Sequence, residues 1–322
     1  MKLLVQGAAS ADAVPGLLPL PEGVMPVCAE NAEQLGKALP GTEVVLGWNF
    51  RDSGLEAHWD RADSLKWIHW CGAGVDAALF PGLGTSDVIL TNAGGIFDRA
   101  MAETVLGYMI YEAKDFGKTI DHQRSRIWEY RMTHQLLGDR VLVVGVGSIG
   151  REIARVLRSF GLLVSGAGRS ERLRHPDFDI VYASKDMGDV VDQFDWVVGV
   201  MPSTAQTHGF FDARFFQSMA SDARFINVGR GSAVVESDLQ FALENKVIAG
   251  AFLDVFASEP LAADSPLWGL DNLFISPHIS GDFVGFEAEM VRRFKVNLQR
   301  YLDGEVLLNV VDKNLGFVRA PE

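Results

Sequence analysis

Three residues of different chemistry occupy equivalent places in the second half of the chain. Arg230, Glu259 and His278 each follow a short apolar run: Arg224 to Val228, Ala249 to Val255 and Leu273 to Ser276. Each falls in a loop of polar or special residues, namely Gly229-Arg230-Gly231, Ala257-Ser258-Glu259-Pro260 and Pro277-His278-Ile279-Ser280-Gly281. Runs of this length and composition predict strands. Open α/β sheets bind ligands beyond the carboxyl ends of their strands, which places the three side chains along one functional edge. A guanidinium is a permanent charge. An imidazole gives and takes a proton near neutrality, and a carboxylate beside it favours the imidazolium. Taken singly, the three also fit an exposed Arg, a solvated Glu and a His satisfying a turn. Their arrival on one edge points instead to a site.

The edge needs a scaffold, and Val141 to Gly150 supplies its centre. VLVVGVGSIG ends four apolar residues in Gly145, Gly147 and Gly150, and Arg151 to Phe160 then takes up a helical period. Strand, glycine turn and helix in this order let a dinucleotide pyrophosphate rest on a helix N-terminus, with Ser148 and Ile149 of the turn among the cofactor-binding residues. Gly145 allows the turn, Gly147 lets the backbone approach the phosphates, and Gly150 lets the helix pack close to the strand. The next strand, Leu162 to Gly166, leads to Ala167-Gly168-Arg169-Ser170-Glu171-Arg172. An NAD-type fingerprint carries an acid about 20 residues past the glycines to bind the ribose hydroxyls. Gly168 stands nearest that place, and Arg169, Ser170 and Arg172 form a cradle suited to the 2′-phosphate of NADP. The competing reading is a solvated charged loop. Further strands are expected at Asp179 to Ala183 and at Trp196 to Met201, the latter running into Pro202-Ser203-Thr204.

The first hundred residues alternate strand and helix signals, with apolar runs at Lys2 to Gln6, Val24 to Cys28, Glu43 to Trp48, Lys66 to Cys71 and Val88 to Thr91. This alternation predicts a mostly parallel, doubly wound sheet. Two small-residue turns follow strands there, Cys71 to Asp76 and Asn92 to Gly95, and such turns expose amides to anions. A long helix is expected from Asp98 as N-cap through Phe116, with a wide apolar stripe. His122 to Gln135 reads as a polar connection or an arm on a neighbouring subunit, Trp128 favouring an interface. A second long helix, Asp282 to Leu302, returns the chain to the first domain, and Leu307 to Val311 lies against that domain.

The whole chain bounds these readings. Its 322 residues are 48% hydrophobic, enough for two cores, and no apolar run is long enough to span a membrane. Lys and Arg number 29 against 42 Asp and Glu, a net charge of −13 that argues against binding nucleic acid or anionic membranes. The start, MKLLVQ, is too short in apolar residues for a signal peptide. Two cysteines, Cys28 and Cys71, make neither a disulfide framework nor a metal site and suit a reducing cytoplasm.

Taken together, GAGVD at 72–76, MAETVL at 101–106, GVGSIG at 145–150, INVGRG at 226–231, LDVFASEP at 253–260, SPHISG at 276–281 and LNVVD at 308–312 resemble the D-isomer-specific 2-hydroxyacid dehydrogenase family over nearly the whole length. The resemblance implies an α/β protein of two Rossmann-like, doubly wound parallel-sheet domains with a cleft between them. Residues 1–98 plus 283–322 would form the substrate-binding domain and 99–282 the dinucleotide-binding domain, in a homodimer. It also implies Arg230, Glu259 and His278 as catalytic residues, Ala73 and Gly74 as amide donors to the substrate carboxylate, and Asp254 and Pro202 on the cofactor side. NADP-using relatives often carry an Arg-Ser pair like Arg169-Ser170, and NAD-using relatives an Asp where this chain has Gly168. Two departures bear on the substrate: Gly94 and Phe97 stand where relatives often place other groups, and Ser280 where Ala is frequent.

The expected chemistry is hydride transfer between NADP(H) and a 2-keto acid/D-2-hydroxy acid pair. His278 would protonate the carbonyl oxygen, Glu259 would favour the imidazolium, and Arg230 would bind the carboxylate and polarise the carbonyl. Two alternatives stand beside it: an NAD-linked dehydrogenase with Arg169 and Arg172 solvated, and a non-catalytic dinucleotide sensor. Trp48, Phe50, Trp70, Phe97 and Phe283 could line a pocket or belong to the core. Glyoxylate, hydroxypyruvate and larger keto acids all fit this reading.

Overall fold

The computed structural model describes residues 1–51 and 54–319. The chain divides into two compact units, Met1–Phe97 with the chain from Phe283 onward, and Asp98–Asp282. Among the described residues no helix is long and apolar enough to cross a membrane.

The first unit carries β1 (Lys2–Gln6), β2 (Met25–Ala29), α1 (Ala32–Ala38), β3 (Val44–Gly47), β4 (Trp67–Trp70), α2 (Pro81–Gly84) and β5 (Ile89–Asn92). Its strands are all parallel, in the order β2-β1-β3-β4-β5, one of the two common doubly wound orders. Asn31 caps α1 by accepting from the amide of Gln34, as its place before an apolar period predicts. In the second unit follow α3 (Asp98–Ala113), α4 (Phe116–Ser125), β6 (Arg140–Val144), α5 (Ser148–Ser159), β7 (Leu163–Gly168), β8 (Val181–Ala183), β9 (Trp196–Gly199), α6 (Ala213–Ser218), β10 (Arg224–Asn227), α7 (Glu236–Glu244), β11 (Gly250–Leu253) and β12 (Leu273–Ile275). Their order is β12-β11-β10-β9-β6-β7-β8, again all parallel, and the direction of winding switches between β6 and β9. That is the dinucleotide-binding order with one further strand.

The chain returns to the first unit through α8 (Phe286–Leu302), whose Phe294 and Tyr301 stack on Trp67 of β4 at 5.6 and 5.3 Å. The residues after α8 then join the edge of β5: Val311 donates to the Leu90 carbonyl and Asn92 donates to that of Asn309. Helix α8 starts four residues later than its apolar spacing predicts, because Gly285 at φ +94° forms its N-cap.

The long helix expected from Asp98 to Phe116 is two helices. Asp98 is already helical, and the break falls at Asp115, whose φ of +50° ends the α3 run. Phe116 therefore belongs to α4 and is exposed, while Met101, Ala102, Val105, Leu106, Tyr108, Met109 and Ala113 are buried around α3. The polar stretch from His122 begins as the last turn of α4, and only the residues beyond Ser125 are irregular.

A histidine is buried inside the first unit. His69 on β4 is wholly buried, with Nδ1 2.8 Å from the Thr91 hydroxyl, which also accepts from Trp67 Nε1. Burial, with the Arg293 charge nearby, pushes the His69 pKa down to about 3, so the folded imidazole is neutral. The unfolded chain takes up a proton below its ordinary 6.5 and the folded one does not, so stability falls as pH drops from 6.5 towards about 3. In urea unfolding at pH 7 and pH 5, His69→Gln should remove part of that loss, up to about 1.4 kcal/mol per pH unit. Equal pH slopes for the two proteins would contradict it.

Candidate active site

The second unit brings its polar loops to the carboxyl edge of adjacent strands β10, β11 and β12. Beyond β11, Asp254 is completely buried, and its carboxylate is fully engaged by the following loop. Oδ1 accepts from the Ile279 amide at 2.9 Å and from the Ser276 hydroxyl, and Oδ2 accepts from the Ser280 amide at 2.9 Å. The Asp254 carbonyl accepts from the His278 amide at 2.8 Å. Thr104 on α3 donates to the Ser280 carbonyl at 3.1 Å. These bonds hold His278 at φ +56°, a left-handed conformation that costs about 1 kcal/mol and persists where its surroundings over-determine it.

His278 and Glu259 meet directly. Nδ1 of the imidazole lies 2.7 Å from Glu259 Oε2, while Oε1 accepts from the Phe256 amide at 2.9 Å. An ionised carboxylate only accepts, so in this contact Nδ1 carries hydrogen, which leaves Nε2 as the ring nitrogen for proton exchange. Both side chains are partly open to solvent.

Arg230 projects from a loop set by close approaches on both sides. A Cβ at Gly229 would stand 2.9 Å from the Met201 backbone, and one at Gly231 would stand 1.9 Å from the Phe256 carbonyl carbon. The arginine is thus clamped between the ends of β9 and β11. Asn227, 1% exposed, closes the turn by accepting from the Gly229 amide and donating to the Arg230 carbonyl. Arg230 Nη1 itself donates to the Gly229 carbonyl at 2.9 Å. Asn227 was missed from the sequence, although an Asn two residues before a glycine is the spacing of an Asx turn.

At the switch point, Gly145 adopts φ +120° and a Cβ there would meet the Val200 carbonyl at 2.7 Å. A Cβ at Gly150 would stand 1.9 Å from the Gly145 carbonyl oxygen, so α5 can start here only on glycine. Gly147, the N-cap of α5, has nothing within 4 Å of its Cβ position, and the helix begins with the amides of Ser148, Ile149 and Gly150, which no helix carbonyl can reach. This open, amide-rich turn fits a pyrophosphate. Strand β7 runs two residues further than expected and ends on Gly168. Arg169, Ser170 and Arg172 are exposed beyond it, with the Arg172 backbone bonded both ways to Val181. Pro202 follows β9 and accepts from the Thr207 hydroxyl at 2.7 Å.

In the first unit, Ala73 and Gly74 lie on the loop after β4. Asn92 donates to the Ala73 carbonyl at 2.5 Å, Ala93 donates to that of Gly72 at 3.1 Å, and among the described residues neither the Ala73 nor the Gly74 amide meets an acceptor. Of the aromatic residues singled out, Trp70 is fully buried in this unit's core and Phe97 is nearly so, whereas Trp48, Phe50 and Phe283 keep exposed surface.

A profile of the D-isomer specific 2-hydroxyacid dehydrogenase NAD binding domain matches residues 106–280. The chain belongs to this family. A glyoxylate/hydroxypyruvate reductase of Arabidopsis thaliana is 30% identical over 252 residues, 77% of this chain and 76% of the relative. The crystal structure of a D-isomer specific 2-hydroxyacid dehydrogenase family protein from Aeromonas salmonicida superposes with a TM-score of 0.83 at 33% identity, covering 97% of this chain and 98% of that one. An NADPH-dependent glyoxylate/hydroxypyruvate reductase from Sinorhizobium meliloti, in complex with NADP and sulfate, superposes at 0.85 with 26% identity, covering 98% and 99%.

Asp254 and Glu259 should separate on mutation. Asp254→Asn places an amide against backbone donors and should cost about 1–3 kcal/mol, read as a lowered Tm together with lost turnover. Glu259→Gln should lower turnover and leave Tm within about 1 °C of wild type, since its loop is surface-exposed. A drop in Tm for Glu259→Gln matching that of Asp254→Asn would refute this division.

Proposed function

We propose that this chain is an NADPH-dependent 2-keto acid reductase that also oxidises D-2-hydroxy acids in reverse. The observation that carries the reading is the 2.7 Å contact of His278 Nδ1 with Glu259, on the strand edge that also presents Arg230. Bound NADPH supplies the hydride for substrate C2. Negative charge then develops on the carbonyl oxygen, and His278 Nε2 delivers its proton there, or takes it back in the reverse direction. Glu259 holds the ring by Nδ1 and balances the charge of the imidazolium. Arg230 binds the substrate carboxylate and polarises the carbonyl with a charge that no change of pH removes. The free amides of Ala73 and Gly74 suit a substrate carboxylate, and they support reading the first unit as the substrate-binding domain.

The second unit is the dinucleotide-binding domain. Gly145, Gly147, Ser148, Ile149 and Gly150 would take the pyrophosphate, with Pro202 and Asp254 on the nicotinamide side, Asp254 acting through the His278 loop that it ties down. Arg169, Ser170 and Arg172 would hold the 2′-phosphate, and Gly168 offers no carboxylate to oppose it. NADP in the Sinorhizobium meliloti structure supports this preference over NAD. Glyoxylate and hydroxypyruvate, named for two relatives, lead the substrate list.

The reading extends to a homodimer. After α4 the second unit exposes Ile127, Trp128, Tyr130, Met132 and Leu137, with Trp128 fully exposed, an apolar surface of the kind that a subunit partner covers. Free cysteines, Cys71 among them wholly buried, are consistent with a cytoplasmic setting.

Oxidation of NADPH and NADH should be followed at neutral pH with glyoxylate, hydroxypyruvate, 2-ketogluconate and phenylpyruvate, alongside sedimentation of the protein. NADPH consumed with at least one acid, NADH at least about tenfold less efficiently, and a mass twice the chain's 35.2 kDa are expected. Binding of NADPH without consumption in any mixture would favour a sensor and count against the enzyme.

A further inference from the structure

The glycine at the end of β7 has a partner in the glycine turn. Gly166 and Gly168 lie two residues apart on one face of the strand, and the Val146 side chain sits over both. A Cβ at Gly166 would stand 2.6 Å from Val146 Cγ1, and one at Gly168 would stand 2.9 Å from Val146 Cγ2. The next neighbour of the Gly168 position, Val181 Cγ1, is at an ordinary 3.7 Å. Val146 alone therefore closes the space in which a side chain at 168 would begin.

Backbone bonds tether both sides of this contact. Gly145 at φ +120° donates to the Ala167 carbonyl at 3.0 Å, which ties the turn to β7 at the residue between the two glycines. Gly147 immediately follows as the N-cap of α5. Val146 is held from both ends, and a β-branched side chain has few rotamers to escape into. Beyond the strand, Arg172 and Val181 exchange backbone bonds at 2.8 and 2.9 Å and fix the loop that carries Arg169 and Ser170.

We infer that Val146 is a determinant of cofactor choice: by occupying the space above Gly168 it keeps an acid out of the position that would bind a ribose 2′-hydroxyl and repel a 2′-phosphate. The inference rests on the NADP reading of the arginine cradle. Preference for the 2′-phosphate is then set twice, by charge at Arg169 and Arg172 and by packing at Val146. A carboxylate introduced at 168 cannot take up its hydrogen-bonding position while the isopropyl group remains, so the charge change alone does not convert the site. Removing the two methyl groups of Val146 opens the position without touching the arginines.

The test compares wild type, Val146→Ala, Gly168→Asp and the double variant by calorimetric Kd for NADPH and NADH and by Tm without cofactor. Gly168→Asp should weaken NADPH at least about tenfold, through repulsion of the 2′-phosphate, while NADH improves no more than about threefold. The double variant should bind NADH about tenfold more tightly than wild type and recover part of the Tm lost in Gly168→Asp. Two results would overturn the inference: Gly168→Asp alone binding NADH as tightly as the double variant, or the double variant binding NADH no better than wild type. A wild type that prefers NADH would instead overturn the NADP reading. The packing claim would still be decided by whether Val146→Ala restores the Tm of Gly168→Asp.

Discussion

The buried carboxylate of Asp254 is the constraint on which the chemical edge depends. Its two oxygens take three donors from the loop after β12, and its own carbonyl takes a fourth, the amide of His278. A buried carboxyl group is costly unless its hydrogen-bonding capacity is filled, and here the filling groups belong to the loop that carries the imidazole. Glu259 springs from the same strand end five residues later, so both members of the His–Glu contact are referred to one anchor. The left-handed backbone of His278 is affordable because these bonds leave the loop no other course.

Steric closeness does for Arg230 and the glycine turn what hydrogen bonds do for His278. Gly231 lets its loop touch Phe256, whose amide in turn binds Glu259, and Gly229 lets the same loop rest on Met201. Gly145 approaches Val200, and Gly150 approaches Gly145, within distances no Cβ would tolerate. Gly145, Gly229 and Gly231 thus fix the spacing between neighbouring strand ends, Gly150 sets α5 on the turn, and the site is a set of short loops spaced by backbone contact. A core of Phe211, Phe215, Phe216 and Phe225 lies within the same unit and packs on the strands.

Much of this was legible in the sequence. Apolar runs named the strands, since parallel strands buried on both faces need continuous hydrophobic residues. Arg230, Glu259 and His278 stood out because each follows such a run. The break between α3 and α4 was not legible: Lys114-Asp115 carries no proline or glycine, and an Asp in left-handed conformation leaves no pattern in an apolar period. The anchoring by Asp254 was equally hidden, because its donors lie 22 to 26 residues further along and two of them are backbone amides. The contact of Val146 with Gly168 joins residues on separate elements, so the sequence shows the glycine at 168 and not the side chain packed over it.

The most direct measurement is the effect of His278→Gln on steady-state NADPH oxidation with the best 2-keto acid, together with the Kd for NADPH. The account predicts that kcat falls by about 10²–10⁴ while NADPH binding stays within about twofold, because the imidazole serves proton transfer and the dinucleotide rests on other loops. Turnover within threefold of wild type in a correctly folded variant would contradict the assignment of His278, and with it the reading of the edge it shares with Glu259 and Arg230.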